Sequence, residues 1–201
     1  MIIEERGRTL PLEELNLIKR AKKGNERAFE AIVRMYEVRV YSYAYHLLGN
    51  REDAQEIAQE TFIKLWNALP DFREEASLST YLLRIVKNSC FDFLRKKREE
   101  VLPLNERSSE GEEYDRGLTD DDPEHNPAEA FARKEQIETV RRAIAALPED
   151  AREILVLREF QNLTYAEIGE ILELEEGTVR SRLNRARIKL KKILEEWNFS
   201  L

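Results

Sequence analysis

The chain has 201 residues, of which 33 are lysine or arginine and 40 are aspartate or glutamate, giving a net charge of −7. This length suggests one domain or two small ones, and the high content of charged residues is typical of a soluble helical protein. We expect no signal peptide and no insertion into a membrane, because no apolar run approaches the ~20 residues that cross a bilayer. The single cysteine, Cys90, cannot form an internal disulfide, which agrees with a cytoplasmic location.

The sequence contains no pattern typical of a catalytic or metal-binding site. His46 and His125 are isolated, and neither has the spacing of a metal ligand set. A glycine-rich phosphate loop and a nucleophile elbow are both lacking from the sequence. We therefore expect a protein that is not an enzyme and that needs no metal or cofactor.

Asparagine, glycine and proline mark the boundaries of the first three predicted helices. The first helix ends at Gly24, and Asn25 can cap the second, which ends at Gly49. Asn50 can cap a third helix, which Pro70 ends. Each helix carries apolar residues three and four positions apart, as a helix buried on one face requires. The outer face of the third helix has a mixed set of charges, and such a face is usually just solvated.

A fourth helix is predicted from about Ser79 to Arg98, with an unusual outer face. Its inner side is apolar, but basic, amide and aromatic residues share the other side. Aromatic rings stack on unpaired bases while cations follow the phosphates, so this combination favours contact with single-stranded nucleic acid. The alternative is that the aromatic residues belong to the helical core. The residues of this face are Tyr81, Arg84, Lys87, Asn88, Phe91 and Arg95.

Helical periodicity stops between residues 99 and 126, where acidic residues accumulate. From Arg98 to Ala130 there are twelve acidic residues and three basic ones. Such a segment has little capacity to pack and repels itself, which predicts a flexible linker. The predicted organisation is all-α, with a four-helix domain over residues 1–98, a flexible acidic linker over 99–127 and a second helical domain over 128–201.

The second domain contains a predicted helix-turn-helix near its end. Thr164 and Glu167 have the spacing of a capping box, and Gly169 is small where two helices must cross closely. Between Gly177 and Lys192 the final helix has seven basic residues and no acidic one. Arginine and asparagine can make paired hydrogen bonds to base edges, so this helix is a candidate for reading DNA. The alternative is a terminal amphipathic helix whose charged face is solvated.

Together, the two halves resemble the extracytoplasmic-function (ECF) sigma factors of bacterial RNA polymerase. Residues 50–66, NREDAQEIAQETFIKLW, are similar to the helix of their conserved region two that binds the core enzyme. Residues 78–88, LSTYLLRIVKN, resemble their promoter-melting segment. Residues 147–153, LPEDARE, and the helix-turn-helix resemble region four.

This resemblance implies three sets of functional residues. The third helix would contact the clamp helices of the largest polymerase subunit through Asp53, Glu56, Gln59, Glu60 and Phe62. The loop 71–78 and the fourth helix would hold and melt the −10 element through Phe72, Ser79, Tyr81, Arg84, Lys87 and Asn88. The last helix would bind the −35 element through Thr178, Arg180, Ser181, Arg182, Asn184, Arg185 and Arg187.

The resemblance also implies partners and some departures from the family pattern. The partners would be core RNA polymerase, promoter DNA and an anti-sigma factor. Leu78 and Tyr81 stand where the family often has phenylalanine and tryptophan, Glu176 where it often has proline, and Glu173 where helix-turn-helix proteins favour glycine. These differences affect promoter preference rather than the class of protein.

Two other functions compete with this one. In an ordinary helix-turn-helix regulator, only the second domain would touch DNA, and the first would sense a partner or ligand. A helical adaptor that binds only proteins, such as an inhibitor of a sigma factor, is the other. The basic and aromatic face of the fourth helix argues against the regulator, and the last helix, free of acidic residues, argues against the adaptor.

Overall fold

The computed structural model describes residues 2–5, 8–73, 76–101 and 127–197. It begins with a short antiparallel hairpin of β1 (Ile2–Glu5) and β2 (Arg8–Pro11), in which Ile2 pairs with Pro11. The sequence analysis did not predict this hairpin. The other regular elements of the described residues are helical, so the predicted all-α class is confirmed for both domains.

The first domain has four helices whose ends follow the predicted capping signals. Asn25 and Asn50 each accept a hydrogen bond from the main-chain N–H three residues on, at 2.9 and 3.0 Å. Gly49 adopts a left-handed φ of 73° and ends the second helix. The helices are α1 (Leu12–Ala21), α2 (Glu26–Leu48), α3 (Arg51–Ala68) and α4 (Leu78–Val101).

The second domain starts at the predicted proline and ends in the predicted helix-turn-helix. A five-residue π-helical turn, Val156–Phe160, continues the second of its helices. Its helices are α5 (Pro127–Ala145), α6 (Glu149–Leu155), α7 (Tyr165–Leu172) and α8 (Glu176–Glu196). Most of the predicted linker, residues 102–126, lies outside the described residues, so its flexibility and the domain limits stay predictions.

The two domains pack against each other, which the sequence analysis did not predict. Buried apolar residues of both domains form one continuous cluster, and the rings of His46 and Phe160 lie 3.7 Å apart across the boundary. We call this packing the closed arrangement. Three guanidinium groups donate across the boundary to main-chain carbonyls: Arg39 to Gln161, Arg84 to Glu170 and Arg152 to Leu47.

These arginine contacts have a common physical basis. Carbonyls in the last turn of a helix lack a partner within the helix, and a nearby cation also interacts favourably with the helix dipole. Leu47 lies in the last turn of α2, and the Nη1 atom of Arg152 is 2.7 Å from its oxygen. Glu170 lies in the last turn of α7. Each domain therefore caps a helix end of the other.

Candidate nucleic-acid interface

The helix-turn-helix begins with the predicted capping box, which is confirmed. The hydroxyl of Thr164 accepts a hydrogen bond from the N–H of Glu167 at 3.2 Å. In return, the Glu167 carboxylate accepts from the N–H of Thr164 at 2.8 Å. Two N–H groups at the start of α7 are satisfied in this way, so the direction of the helix is fixed at its first turn.

The turn between α7 and α8 is tight, and Gly169 makes it possible. A Cβ atom at this position would lie 2.5 Å from the carbonyl oxygen of Leu174, a distance that no side chain tolerates. The close approach is therefore to the main chain of the turn, and the contact with Val179 of α8 is looser, at 3.9 Å. Glu173 takes a left-handed φ of 57° in the same turn, where glycine would be less strained.

Helix α8 buries one face and exposes the other, as its periodicity predicts. Val179, Leu183, Ala186 and Leu194 are buried against the rest of the domain. The predicted contacts to the −35 element lie outward. Arg180, Ser181, Arg182, Asn184, Arg185 and Arg187 are exposed, and Thr178 is half-buried.

Some of these outward side chains are held by neighbours. Ser181 donates to the carbonyl of Thr178 at 3.0 Å, and the Nε atom of Arg185 donates to the carbonyl of Ser181 at 3.3 Å. Arg187 pairs with Glu159 at 2.6 Å. Arg185 therefore folds back along α8, and Arg187 is tied to the π-helical turn.

The loop before α4 is more buried than the sequence analysis expected. Ser77 caps α4 by accepting from the N–H of Thr80 at 3.0 Å. Phe72 was predicted to face DNA, but it is only 6% exposed and packs on Tyr81 with ring centroids 5.0 Å apart. As the chain stands here, Phe72 is a core residue and its ring is not open to a base.

Two of the predicted −10 residues on α4, Arg84 and Lys87, lie near the second domain. Arg84 donates through both Nε, at 3.0 Å, and Nη2 to the carbonyl of Glu170. Ser79, Tyr81 and Lys87 are half-buried, whereas Asn88 is exposed. The closed arrangement therefore occupies Arg84 and leaves Asn88 accessible.

A half-buried residue, Glu153 of α6, also lies at this boundary, and its Oε1 atom is buried. Burial raises its pKa to about 7, and the charges of Lys87 and Arg182 oppose that rise. Among the described residues, none donates a hydrogen bond to its Oε1 atom. Glu153 therefore lies within electrostatic reach of a predicted −10 residue and a predicted −35 residue. The sequence analysis missed it, because nothing near it in the sequence marks it as buried.

Four of the five residues predicted to bind the polymerase on α3 are at least partly exposed, and the fifth, Phe62, is buried. Glu56 and Gln59 are exposed. Asp53 and Glu60 are partly exposed and form ion pairs with Lys97 and Lys64. Phe62 was predicted on this surface, but it is only 9% exposed and packs in the core because it shares a helical stripe with Ala58 and Leu65. Its neighbour Ile63 is 62% exposed and is the apolar residue that this surface presents.

Fold and site together define a DNA-binding protein with two helical domains. Comparisons with known proteins agree with this class. Residues 32–100 match the family "Sigma-70 region 2", and residues 137–190 match "Sigma-70, region 4". No helix of the described residues is long and apolar enough to span a bilayer.

Curated relatives match almost the whole chain. RNA polymerase sigma-H factor of Pseudomonas aeruginosa is 35% identical over 91% of this chain and 94% of its own. The ECF RNA polymerase sigma factor SigW of Bacillus subtilis is 35% identical over 89% of this chain and 95% of its own. A solved structure of the sigma factor RpoE of Bartonella quintana in complex with the anti-sigma factor NepR shares the fold. Its TM-score is 0.63 at 21% identity, covering 83% of this chain and 96% of that one.

The chain therefore belongs to the sigma-70 family, in its ECF group. It is a sigma factor, which binds core RNA polymerase and directs transcription from specific promoters.

Proposed function

We propose that this sigma factor reads the −35 element with α8 and recognises and opens the −10 element with α4. The observation that carries the first half is the outer face of α8, which is exposed and, from Gly177 to Lys192, has seven basic residues and no acidic one. The capping box and the tight turn hold the first turn of this helix outward, where a recognition helix enters the major groove. Arg180, Ser181, Asn184 and Arg185 are the proposed base readers, and Thr178, Arg182 and Arg187 the proposed phosphate contacts.

The proposal for the −10 element rests on the outer side of α4. Arg84, Lys87 and Asn88 place cationic and amide groups beside the partly exposed ring of Tyr81. Opening DNA by taking a base out of the stack costs a few kcal/mol, part of which stacking and phosphate contacts can recover. No catalytic step of the sigma factor itself is needed, so we propose that it acts without enzymatic activity.

For core RNA polymerase, we propose that the clamp helices contact the outer face of α3. The polar residues would be Asp53, Glu56, Gln59 and Glu60, with exposed Ile63 supplying the apolar contact in place of buried Phe62. A single exposed apolar side chain surrounded by polar ones is typical of an interface that also exists free in water.

Two further proposals concern the setting in which the protein works. We propose a cytoplasmic location, because the polymerase that a sigma factor serves is there. We also propose restraint by an anti-sigma factor. The support for that partner is the similarity to RpoE of Bartonella quintana, whose structure contains the anti-sigma factor NepR.

Run-off transcription with purified core polymerase tests the whole proposal. The wild-type protein should direct initiation from a library of random promoters and select two conserved elements. A double variant, Lys87→Ala with Asn88→Ala, should transcribe duplex promoters poorly and regain part of its activity on a promoter with a pre-opened bubble, where the unpairing cost is already met.

The same assay separates this function from the helix-turn-helix regulator. If the double variant transcribes duplex promoters like the wild type, α4 is only a wall of the bundle and the melting role fails. If the wild-type protein shifts duplex DNA but never supports initiation with core polymerase, the chain acts as a regulator.

A further inference from the structure

Tyr165 belongs to none of the proposed contact sets, yet its ring lies against two arginines. It is the first residue of α7, directly after the capping Thr164, and its side chain is half-buried. Its ring lies below the guanidinium groups of Arg158, at 5.3 Å from the ring centroid, and of Arg180, at 5.9 Å. Both distances are within the ~6 Å range of a cation–π contact.

One of these two arginines is fixed and the other is exposed. Arg158 also donates to the carbonyl of Leu163 at 2.7 Å, so it is tied to the loop before α7. Arg180 is exposed on α8, and no carboxylate of the described residues forms an ion pair with it. The ring of Tyr165 is therefore the contact that limits where the Arg180 side chain points.

A third arginine, Arg187, lies two turns along α8 from Arg180 and pairs with Glu159. The hydrogen bond from Arg187 to Glu159 and, to a smaller extent, the phenolic group of Tyr165 both raise the pKa of Arg187. Glu159 accepts from its Nε atom at 3.1 Å and from Nη2 at 2.6 Å. Arg187 is therefore held by Glu159, while the ring of Tyr165 faces Arg180, a proposed base reader.

We propose that Tyr165 is a positioning residue for recognition of the −35 element, acting on Arg180 through its ring. This inference rests on the proposed role of α8. A free arginine side chain loses much rotamer entropy when it binds a base, and a ring that already restricts it reduces that loss. The contact engages the face of the guanidinium and leaves its N–H edge free to donate to a base.

The test compares promoter preference in the complete holoenzyme formed by the full chain and core polymerase. Promoters with a randomised upstream element are transcribed in one tube, and the ratio between sequences is read for wild type, Tyr165→Phe, Tyr165→Leu, Arg180→Ala and the double variant Tyr165→Leu with Arg180→Ala. A ratio within one preparation is independent of the fraction of folded protein. Trp197→Leu is the matched control, because it removes another cation–π contact of the same domain, that with Arg142 at 5.4 Å.

Tyr165→Leu should reduce discrimination about two- to five-fold, at the same base position that Arg180→Ala relaxes. Tyr165→Phe, which keeps the ring, should keep that discrimination, and Trp197→Leu should leave it unchanged. In the double variant, the loss at this position should equal that of Arg180→Ala alone, because the two residues act as one unit.

Three outcomes would overturn the inference without touching the proposed role of α8, and a fourth would overturn both. If Tyr165→Leu reduced transcription equally from all sequences, the tyrosine would act as a contact to the DNA backbone. If it increased discrimination, the ring would hold Arg180 away from the base. Additive losses in the double variant would show independent action. If Arg180→Ala itself leaves preference unchanged, the proposed reading by α8 fails first, and the positioning role fails with it.

Discussion

At the scale of single residues, Glu153 and His46 give the boundary between the domains two opposite dependences on pH. Burial raises the pKa of Glu153 to about 7, so the folded state holds its proton more tightly than the unfolded chain does. Burial, and then the charge of Arg141, lower the pKa of His46 to about 4, so the folded state holds that proton less tightly. Glu153 thus stabilises the fold below about pH 4.5 and loses this contribution as the pH rises through 7. His46 stabilises it above about pH 6.5 and loses its contribution as the pH falls toward 4.

We predict that the free energy of unfolding of the wild-type protein changes little between pH 4.5 and 6.5, because the two effects oppose each other. In Glu153→Gln only the effect of His46 remains, so the free energy of unfolding should fall as the pH falls. In His46→Phe, which keeps a ring against Phe160, only the effect of Glu153 remains, so the free energy of unfolding should fall as the pH rises toward 7. Each shift corresponds to at most about 3 kcal/mol. Denaturant unfolding at a series of pH values measures this. Parallel curves for the wild type and Glu153→Gln would show that the carboxyl has an ordinary pKa.

Arg180 and Lys191 provide a second prediction at this scale, since both are exposed on α8 but at different distances from its first turn. Arg180→Ala should cost ~1–3 kcal/mol of binding and relax preference at one upstream base. Lys191→Ala should weaken binding to all sequences alike and lower its salt dependence. Competition binding of the holoenzyme to single-base variants of one promoter distinguishes them. Uniform losses for both variants would remove Arg180 from the set of base readers.

At the scale of elements, Gly169 gives a prediction about the helix-turn-helix. Gly169→Ala should destabilise the second domain by ~1–3 kcal/mol, because its methyl group would meet the main-chain oxygen of Leu174 and not a side chain that can move away. Gly177→Ala is the matched control. Nothing lies within 4 Å of a Cβ atom there, so this variant should be neutral or slightly more stable. Thermal unfolding of both variants measures the difference in stability. Equal unfolding midpoints for Gly169→Ala and Gly177→Ala would mean that the turn is not tight.

Most element boundaries could be predicted because their signals are local. Asn25, Asn50 and Thr164 accept hydrogen bonds from groups three residues away, so a few letters of sequence define each cap. Phe62 obeys a local signal of the same kind. Its spacing from Ala58 and Leu65 already placed it on the buried stripe, and the family resemblance drew it to the surface set.

Contacts between the domains could not be predicted in the same way. Arg84 and Glu170 are 86 residues apart, and Arg39 and Gln161 are 122 apart. No periodicity links such positions. The burial of Phe72 could not be predicted from its own loop either, because its ring packs on Tyr81 of α4.

At the scale of the whole molecule, the closed arrangement is too small to reach both promoter elements. A compact chain of about 200 residues has a radius of gyration of about 17 Å and is thus roughly 45 Å across. Elements centred near −35 and −10 are about 25 base pairs apart, or roughly 85 Å along B-form DNA. The 25 residues between α4 and α5 can extend to roughly 85 Å. We therefore expect the domains to separate on the promoter.

Separation should be easier when a contact at the boundary is removed. Gln161 lies outside every proposed binding surface, is buried and accepts from Arg39 at 3.2 Å. Gln161→Ala should increase the affinity of the free protein for a single-stranded −10 oligonucleotide by roughly five-fold. Losing this hydrogen bond should destabilise the closed arrangement by about 1 kcal/mol, and the apparent affinity rises with the fraction of molecules in which the domains are separated.

Fluorescence anisotropy with a labelled oligonucleotide measures this change in affinity. Gln136→Ala, at an exposed position of α5, is the control and should bind like the wild type. Unchanged affinity for Gln161→Ala would mean that the closed arrangement does not limit access to α4.

The arginine contacts at the domain boundary also affect what a genetic screen can find. Their donors are side chains, but the acceptors at Leu47, Glu170 and Gln161 include main-chain carbonyls, which every amino acid possesses. A selection for variants whose two domains separate more readily should therefore find substitutions at the arginine donors far more often than at the acceptors Leu47 or Glu170. The donors are Arg39, Arg84 and Arg152. In an ion pair, exchanging the two charged residues can restore a lost contact. Here such an exchange cannot restore the closed arrangement, because the acceptor is a main-chain carbonyl. In related chains, we expect each of these arginines to be kept or lost without a compensating substitution at the residue whose carbonyl it contacts.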